Sequence, residues 1–154
     1  MLPRLDLGYL ALFLGLRVNE LVMERMTAAG FTGVRESHGF VIQHLIQEER
    51  TITELAGRME VTQQAASKVV AELIELGVLE AVPGKDRRAK RIRLSKKGWQ
   101  IVRLGRRERS RIDRRLRTVA GESGYDAAGK ILRECLTALG GTERIESRRI
   151  RQPR

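Results

Sequence analysis

"ELAGRMEVTQQAASKVVAELIELGVLEAVPGKDRRAKRIRLSKKG", residues Glu54 to Gly98, is the stretch that decides the fold. Just before it, Thr51 and Glu54 have capping-box spacing, in which each side chain satisfies the other's orphan backbone N–H at a helix start. Ile52, Leu55 and Met59 then give a short helix its apolar face. "MEV" at 59–61 is a tight break, and Thr62 is placed to cap the next helix. That helix is expected to bury Ala65, Val69, Leu73 and Leu76, with Gly77 ending it in the left-handed conformation that glycine takes cheaply. "VLEAV" at 78–82 reads as a strand, "PGKDRRAK" at 83–90 as a basic turn-rich loop, and "RIRL" at 91–94 as a returning strand. Helix, turn, helix and hairpin, in that order, make a winged helix-turn-helix.

The outward face of the second helix suits base edges. Gln64, Ser67, Lys68 and Ala71 lie at i, i+3, i+4 and i+7, with Gln63 beside them and Thr62 at the helix start. Glutamine bonds adenine N6 and N7 together, lysine reaches guanine O6/N7 or a phosphate, and hydroxyls reach either kind of group. Small Ala66 and Ala71 would permit close approach to a groove. In the loop, Lys85, Asp86, Arg87 and Arg88 form a narrow basic tip of the kind that suits the electronegative minor groove. Asp86 is positioned to pair with Arg88 and fix its direction, and Arg91 follows on the strand. Lys96 and Lys97 open the next helix and are read as phosphate neighbours or solvated side chains. An ordinary solvated helix carries the same residue types; the place of this face, second in a helix-turn-helix and before a basic hairpin, is what favours DNA readout.

The charge is arranged accordingly. The chain of 154 residues has a net charge of +11 and a pI near 10.9, which points to a polyanionic partner. Between Pro83 and Arg117 there are 16 Lys and Arg against 3 Asp and Glu, so this segment carries +13 and the rest of the chain −2. A hydrophobic fraction of 42% supports a packed core. The single cysteine, Cys135, excludes an internal disulfide and suits a reducing cytoplasm. The apolar run between Asp6 and Arg17 is too short to span a bilayer. The expectation is a soluble cytoplasmic protein with no membrane partner.

The flanks read as helices. Leu7 to about Thr27 is apolar on one face through Leu10, Phe13, Leu14 and Leu21, and on a second through Leu12, Leu16 and Val18. Another helix is expected from Gly33 to Gln47, with Val34, Val41, Ile42 and Leu45 inward. Ser95 caps a long arginine-rich helix to about Val119, "AGESGYD" interrupts, and a last helix runs from about Asp126 to Leu139. The fold class is therefore mainly α with a small β-hairpin wing.

Leu73, Gly77, Val78 and Leu79, then Asp86 and Arg88, then Leu94, Ser95 and Gly98 follow the pattern L-x-x-x-G-[LV]-[LI], D-x-R, L-[TS]-x-x-G. In this the chain resembles the MarR family of bacterial winged-helix regulators. Ala81 departs from the pattern, because the family often has a basic residue there. The resemblance implies a homodimer built by a helical region, residues 1–32 and 120–154, through Leu10, Leu14, Leu132, Leu136 and Leu139. It implies a winged helix-turn-helix at 33–98 and a connecting helix at 95–119. It also implies one recognition helix per subunit in successive major grooves, about 10 bp apart, on a near-palindromic operator of double-stranded DNA. A repressor released by a small-molecule effector would be typical of the family; nothing in "HGFVIQH" or the first helix specifies a ligand.

Other chemistry finds little support. His38 and His44 are six apart, off a common helical face and without an acidic cluster, so two partly buried histidines are expected rather than a metal site. Cys135 falls on an apolar stripe and reads as packing. There is no phosphate-binding loop and no catalytic constellation, so neither an enzyme nor a cofactor is expected. The rivals are an architectural or RNA-binding winged-helix protein without an operator, favoured by the arginines between Arg103 and Arg117, and a protein–protein module, disfavoured by the clustered charge.

Overall fold

In chain order the computed structural model, which describes residues 5–84 and 90–141, contains α1 (Leu7–Ala28), α2 (His38–Ile42), α3 (Ile52–Met59), α4 (Gln63–Glu75), β1 (Leu79–Pro83), β2 (Lys90–Leu94), α5 (Lys96–Ala120) and α6 (Glu122–Ala138). The proposed wing-tip residues Lys85, Asp86, Arg87 and Arg88 lie outside the described residues. The mainly α architecture with a two-stranded wing is the one expected.

The helix starts follow the sequence signals. Thr51 Oγ1 accepts from Glu54 N while the Glu54 carboxylate accepts from Thr51 N, which completes the capping box of α3. Thr62 Oγ1 accepts from Ala65 N at the start of α4, and Ser95 Oγ accepts from Gly98 N at the start of α5. Between α3 and α4 the chain turns at Glu60, whose φ of 55° puts a non-glycine residue in the left-handed region.

Three expectations need correction. The helix expected at Gly33 begins instead at His38 and tightens into a 3-10 turn at Gln43–Leu45. Gly33 has φ +80°, and a Cβ there would lie 2.8 Å from Leu76 Cδ2, so the entry to this segment is a glycine turn against α4. The inward face of α4 is Ala66, Val70 and Leu73; Ala65 is exposed, and Val69 and Leu76 are half-buried. The last helix starts at Glu122, earlier than Asp126, because Gly121 alone makes the break from α5.

β1 and β2 pair antiparallel, with Leu79 opposite Leu94 and Ala81 opposite Ile92. A third, one-residue element joins them. Arg50 N donates to Ile92 O at 3.0 Å and Ile92 N donates to Arg50 O at 2.7 Å, so the segment before α3 is stitched to the wing.

The core is formed where α2, α3, α4, the wing and the first half of α5 meet. Val41, Leu55, Leu73 and Val78 are fully enclosed there, with Ile92, Leu94 and Ile101 around them. α1 packs on α5 through Val22 and Met26, and α6 has no buried residue. No helix among the described residues is long and apolar enough to cross a membrane.

Candidate nucleic-acid interface

α4 divides cleanly into two faces. Ala66, Val70 and Leu73 seal against the core, so Gln64, Ser67, Lys68 and Ala71 are turned to solvent. With Gln63 and Ile52 they line a shallow open hollow of about 550 Å³. Ala66, expected at the groove, is 1% exposed and belongs to the core. Its small side chain lets α4 pack closely on its own domain.

Two of the expected contact residues also hold the unit together. Thr62 caps α4, and Gln63 Nε2 donates to Thr53 Oγ1 at 3.2 Å, tying the start of α4 to α3. The aim of the exposed face is thus set by a turn fixed at both ends.

The wing root is braced by Arg91. Its Nη2 donates to Glu49 O at 2.6 Å, and the guanidinium pairs with the Glu49 carboxylate at 3.4 Å and with Glu54 at 3.6 Å. Arg91 therefore fastens β2 to the start of α3, and its expected contact with DNA has to compete with that role. The hydrogen bond from the Thr51 backbone holds the Glu54 carboxyl below the ordinary carboxylate range, and Arg91 adds to the effect. On the outer face of the hairpin, Arg93 pairs with Glu80 across the strands at 2.7 Å.

Sequence reasoning missed a buried arginine beneath this site. Arg50 is 7% exposed; its Nε donates to His44 O at 2.9 Å and its Nη2 to Glu48 Oε1 at 2.6 Å. A one-residue bridge leaves no periodicity, so no signal in the sequence could have marked it.

The far end of α4 is held by two further attachments. Arg35 and His38 both address Glu72: Arg35 Nη2 donates to Glu72 Oε2 at 2.6 Å, and His38 Nε2 lies 3.5 Å from the same oxygen. His38 is fully buried and its Nδ1 accepts from Arg35 N at 3.1 Å, so the ring is a link between α2 and α4. Burial lowers its pKa against the opposing pull of Glu72. Beyond α4, Ser95 Oγ donates to the carbonyls of Gly77 and Val78, and Lys97 Nζ donates to Leu76 O at 2.7 Å. The end of α4, the start of β1 and the start of α5 form one joint, and Lys97 serves that joint.

The residues assigned to dimerisation fall on open surface. Leu10 and Leu14 are 43% and 47% exposed, Leu136 and Leu139 are exposed, and Leu132 is half-buried. Cys135 is half-buried beside them. His44, like His38, is buried, and no group of three His, Cys, Asp or Glu suited to a metal occurs among the described residues.

A short helix, a three-residue turn, a second helix with an exposed polar face and a braced two-stranded wing define a winged helix-turn-helix protein. Residues 30–89 match the family model of the MarR family. The fold of the chain is that of the solved structures of MarR, MepR and FabT. It is similar to YusO from Bacillus subtilis, with 23% identity over 86% of this chain and 92% of that one and a TM-score of 0.69. It is similar to Streptococcus pneumoniae FabT, solved in complex with DNA, at 23% identity over 88% and 98% and a TM-score of 0.66. The reduced form of E. coli MarR is 17% identical over 88% and 99%, with a TM-score of 0.68. No curated protein matches the sequence.

Proposed function

We propose that this protein is a homodimeric, sequence-specific regulator that binds double-stranded DNA at a near-palindromic operator in the cytoplasm. The observation that carries the reading is the outward face of α4. Gln64, Ser67, Lys68 and Ala71 stand clear of the core on a helix fixed at both ends and flanked by the wing. Direct readout needs this arrangement, because base-edge hydrogen bonds discriminate only if the donors are held in register. FabT was solved with DNA and a Staphylococcus aureus MepR variant with an oligodeoxyribonucleotide, and both share this fold.

In this reading Lys85, Asp86, Arg87 and Arg88 form a tip that enters the minor groove, with Arg91 at its root. Residues 1–32 and 120–154 supply the dimer, residues 33–98 the DNA-binding unit and 95–119 the helix between them. The apolar surface left open on α1 and α6 supports dimerisation, since two such faces cover one another in an isologous contact. Repression, and its release by a small-molecule effector, are drawn from the family resemblance.

Selection of bound duplexes from a random pool tests the reading. A two-fold symmetric consensus is expected, with half-sites about one helical turn apart. A bound pool without a consensus would replace the operator model with architectural or RNA binding.

A further inference from the structure

The recognition face leaves a second basic feature unused. Along α5, Arg103, Arg106, Arg107 and Arg114 all face solvent, at spacings that bring like charges together on one side of a helix. Arg25 comes in from α1, and between the two helices lies a hollow of about 500 Å³ floored by Leu104. Arg25, Arg106, Arg107, Arg111 and Arg114 line it, against the single carboxylate of Glu108.

The carboxylate does not close the account of charge. Glu108 is 5% exposed and accepts from Arg111 Nε at 2.9 Å, which orients that guanidinium at the rim. Arg25 and Arg114 feel Glu108 and Asp113 at longer range, while Arg106 and Arg107 have no acidic partner among the described residues. Five guanidinium groups around one buried carboxylate leave four positive charges converging on one concavity. A protein gains nothing in stability from holding them there, because like charges on one helix face repel. An anion that fits resolves the repulsion. Guanidinium groups present paired N–H donors that match phosphate oxygens two at a time. The hollow shares no residue with the reading face of α4, and Leu104 lies eight residues into α5, about 12 Å along its axis.

We propose that the hollow between α1 and α5 is a binding site for a compact anion carrying several phosphates, of the polyphosphate or nucleoside-polyphosphate class. Concavity and the contribution of two helices favour a compact ligand over an extended nucleic-acid backbone, which a flat stripe would serve.

Isothermal titration of the full chain with inorganic tripolyphosphate, against sulfate at matched ionic strength, tests this. Saturable binding of one anion per chain is expected, at least tenfold tighter than for sulfate. The double variant R107A/R114A should bind at least tenfold more weakly, and without ligand it should melt no lower than the wild type. Q64A/K68A should bind tripolyphosphate as the wild type does. Absence of saturable binding, equal response to sulfate, or equal weakening in Q64A/K68A would overturn the site. If R107A/R114A proves unfolded, R107Q/R114Q replaces it, and wild-type affinity in that variant has the same meaning. Failure of the operator reading would leave all of these results unchanged.

Discussion

Gly98 stands where α5 begins to cross the root of the wing, and a Cβ there would meet Val78 O at 2.3 Å and Leu94 Cδ2 at 3.0 Å. The same carbonyl accepts from Ser95 N and Ser95 Oγ. The motif L-S-x-x-G therefore has a physical content: Leu94 fills the core, Ser95 latches β1, and Gly98 allows the backbones to touch. Gly98→Ala improves helix propensity yet is expected to lower stability by roughly 1–3 kcal/mol through overpacking, read from urea unfolding. An unchanged midpoint would mean that the joint yields. His38 makes a second prediction. Its folded pKa is lowered, so acid protonates it in the unfolded chain before the folded one. Its contribution to stability is complete above pH ~6.5 and is lost as pH falls through the lowered folded value. The melting temperature should drop between pH 7 and pH 5, and His38→Gln should flatten that slope; a slope kept in the variant would assign the effect elsewhere.

At the scale of elements, capping and turn chemistry were legible because they are local. Thr51, Thr62, Gly77 and Ser95 all do what their spacing implies, and Thr51→Ala should cost about 1 kcal/mol in chemical denaturation. The face of α4 was less legible. Alanines at both 65 and 66 allow two adjacent inward stripes, and hydropathy alone does not choose between them. Packing against α2, α3 and β1 selects Ala66, Val70 and Leu73. The one-residue bridge at Arg50 and the Arg91 brace were invisible for a related reason, since both depend on residues brought together only by the fold. Gln64→Ala and Lys68→Ala should lower the preference for operator over random DNA, measured by competition binding. A wild-type specificity ratio in both variants would move recognition off this helix. Arg91→Ala should weaken binding to every sequence alike by releasing the root of the wing, an effect separable from a loss of base discrimination.

For the whole molecule, the apolar surface on the first half of α1 is the feature a monomer does not account for. Leu7, Tyr9, Leu10, Leu12, Phe13, Leu14 and Leu16 are all at least 43% exposed. A contiguous patch of this kind marks an interaction site in a soluble protein. Leu10→Glu with Leu14→Glu should convert a sedimenting dimer to a monomer, and a wild-type chain that sediments as a folded monomer would exclude the dimer.

The separation of α4 into a sealed face and an open one has a practical consequence for engineering. Positions 64, 67, 68 and 71 make up an interchangeable cassette, because their side chains face solvent while Ala66, Val70 and Leu73 keep the scaffold intact. Libraries randomised at those four positions should retain the parent's thermal stability, so new target preferences can be selected without re-optimising the scaffold each time.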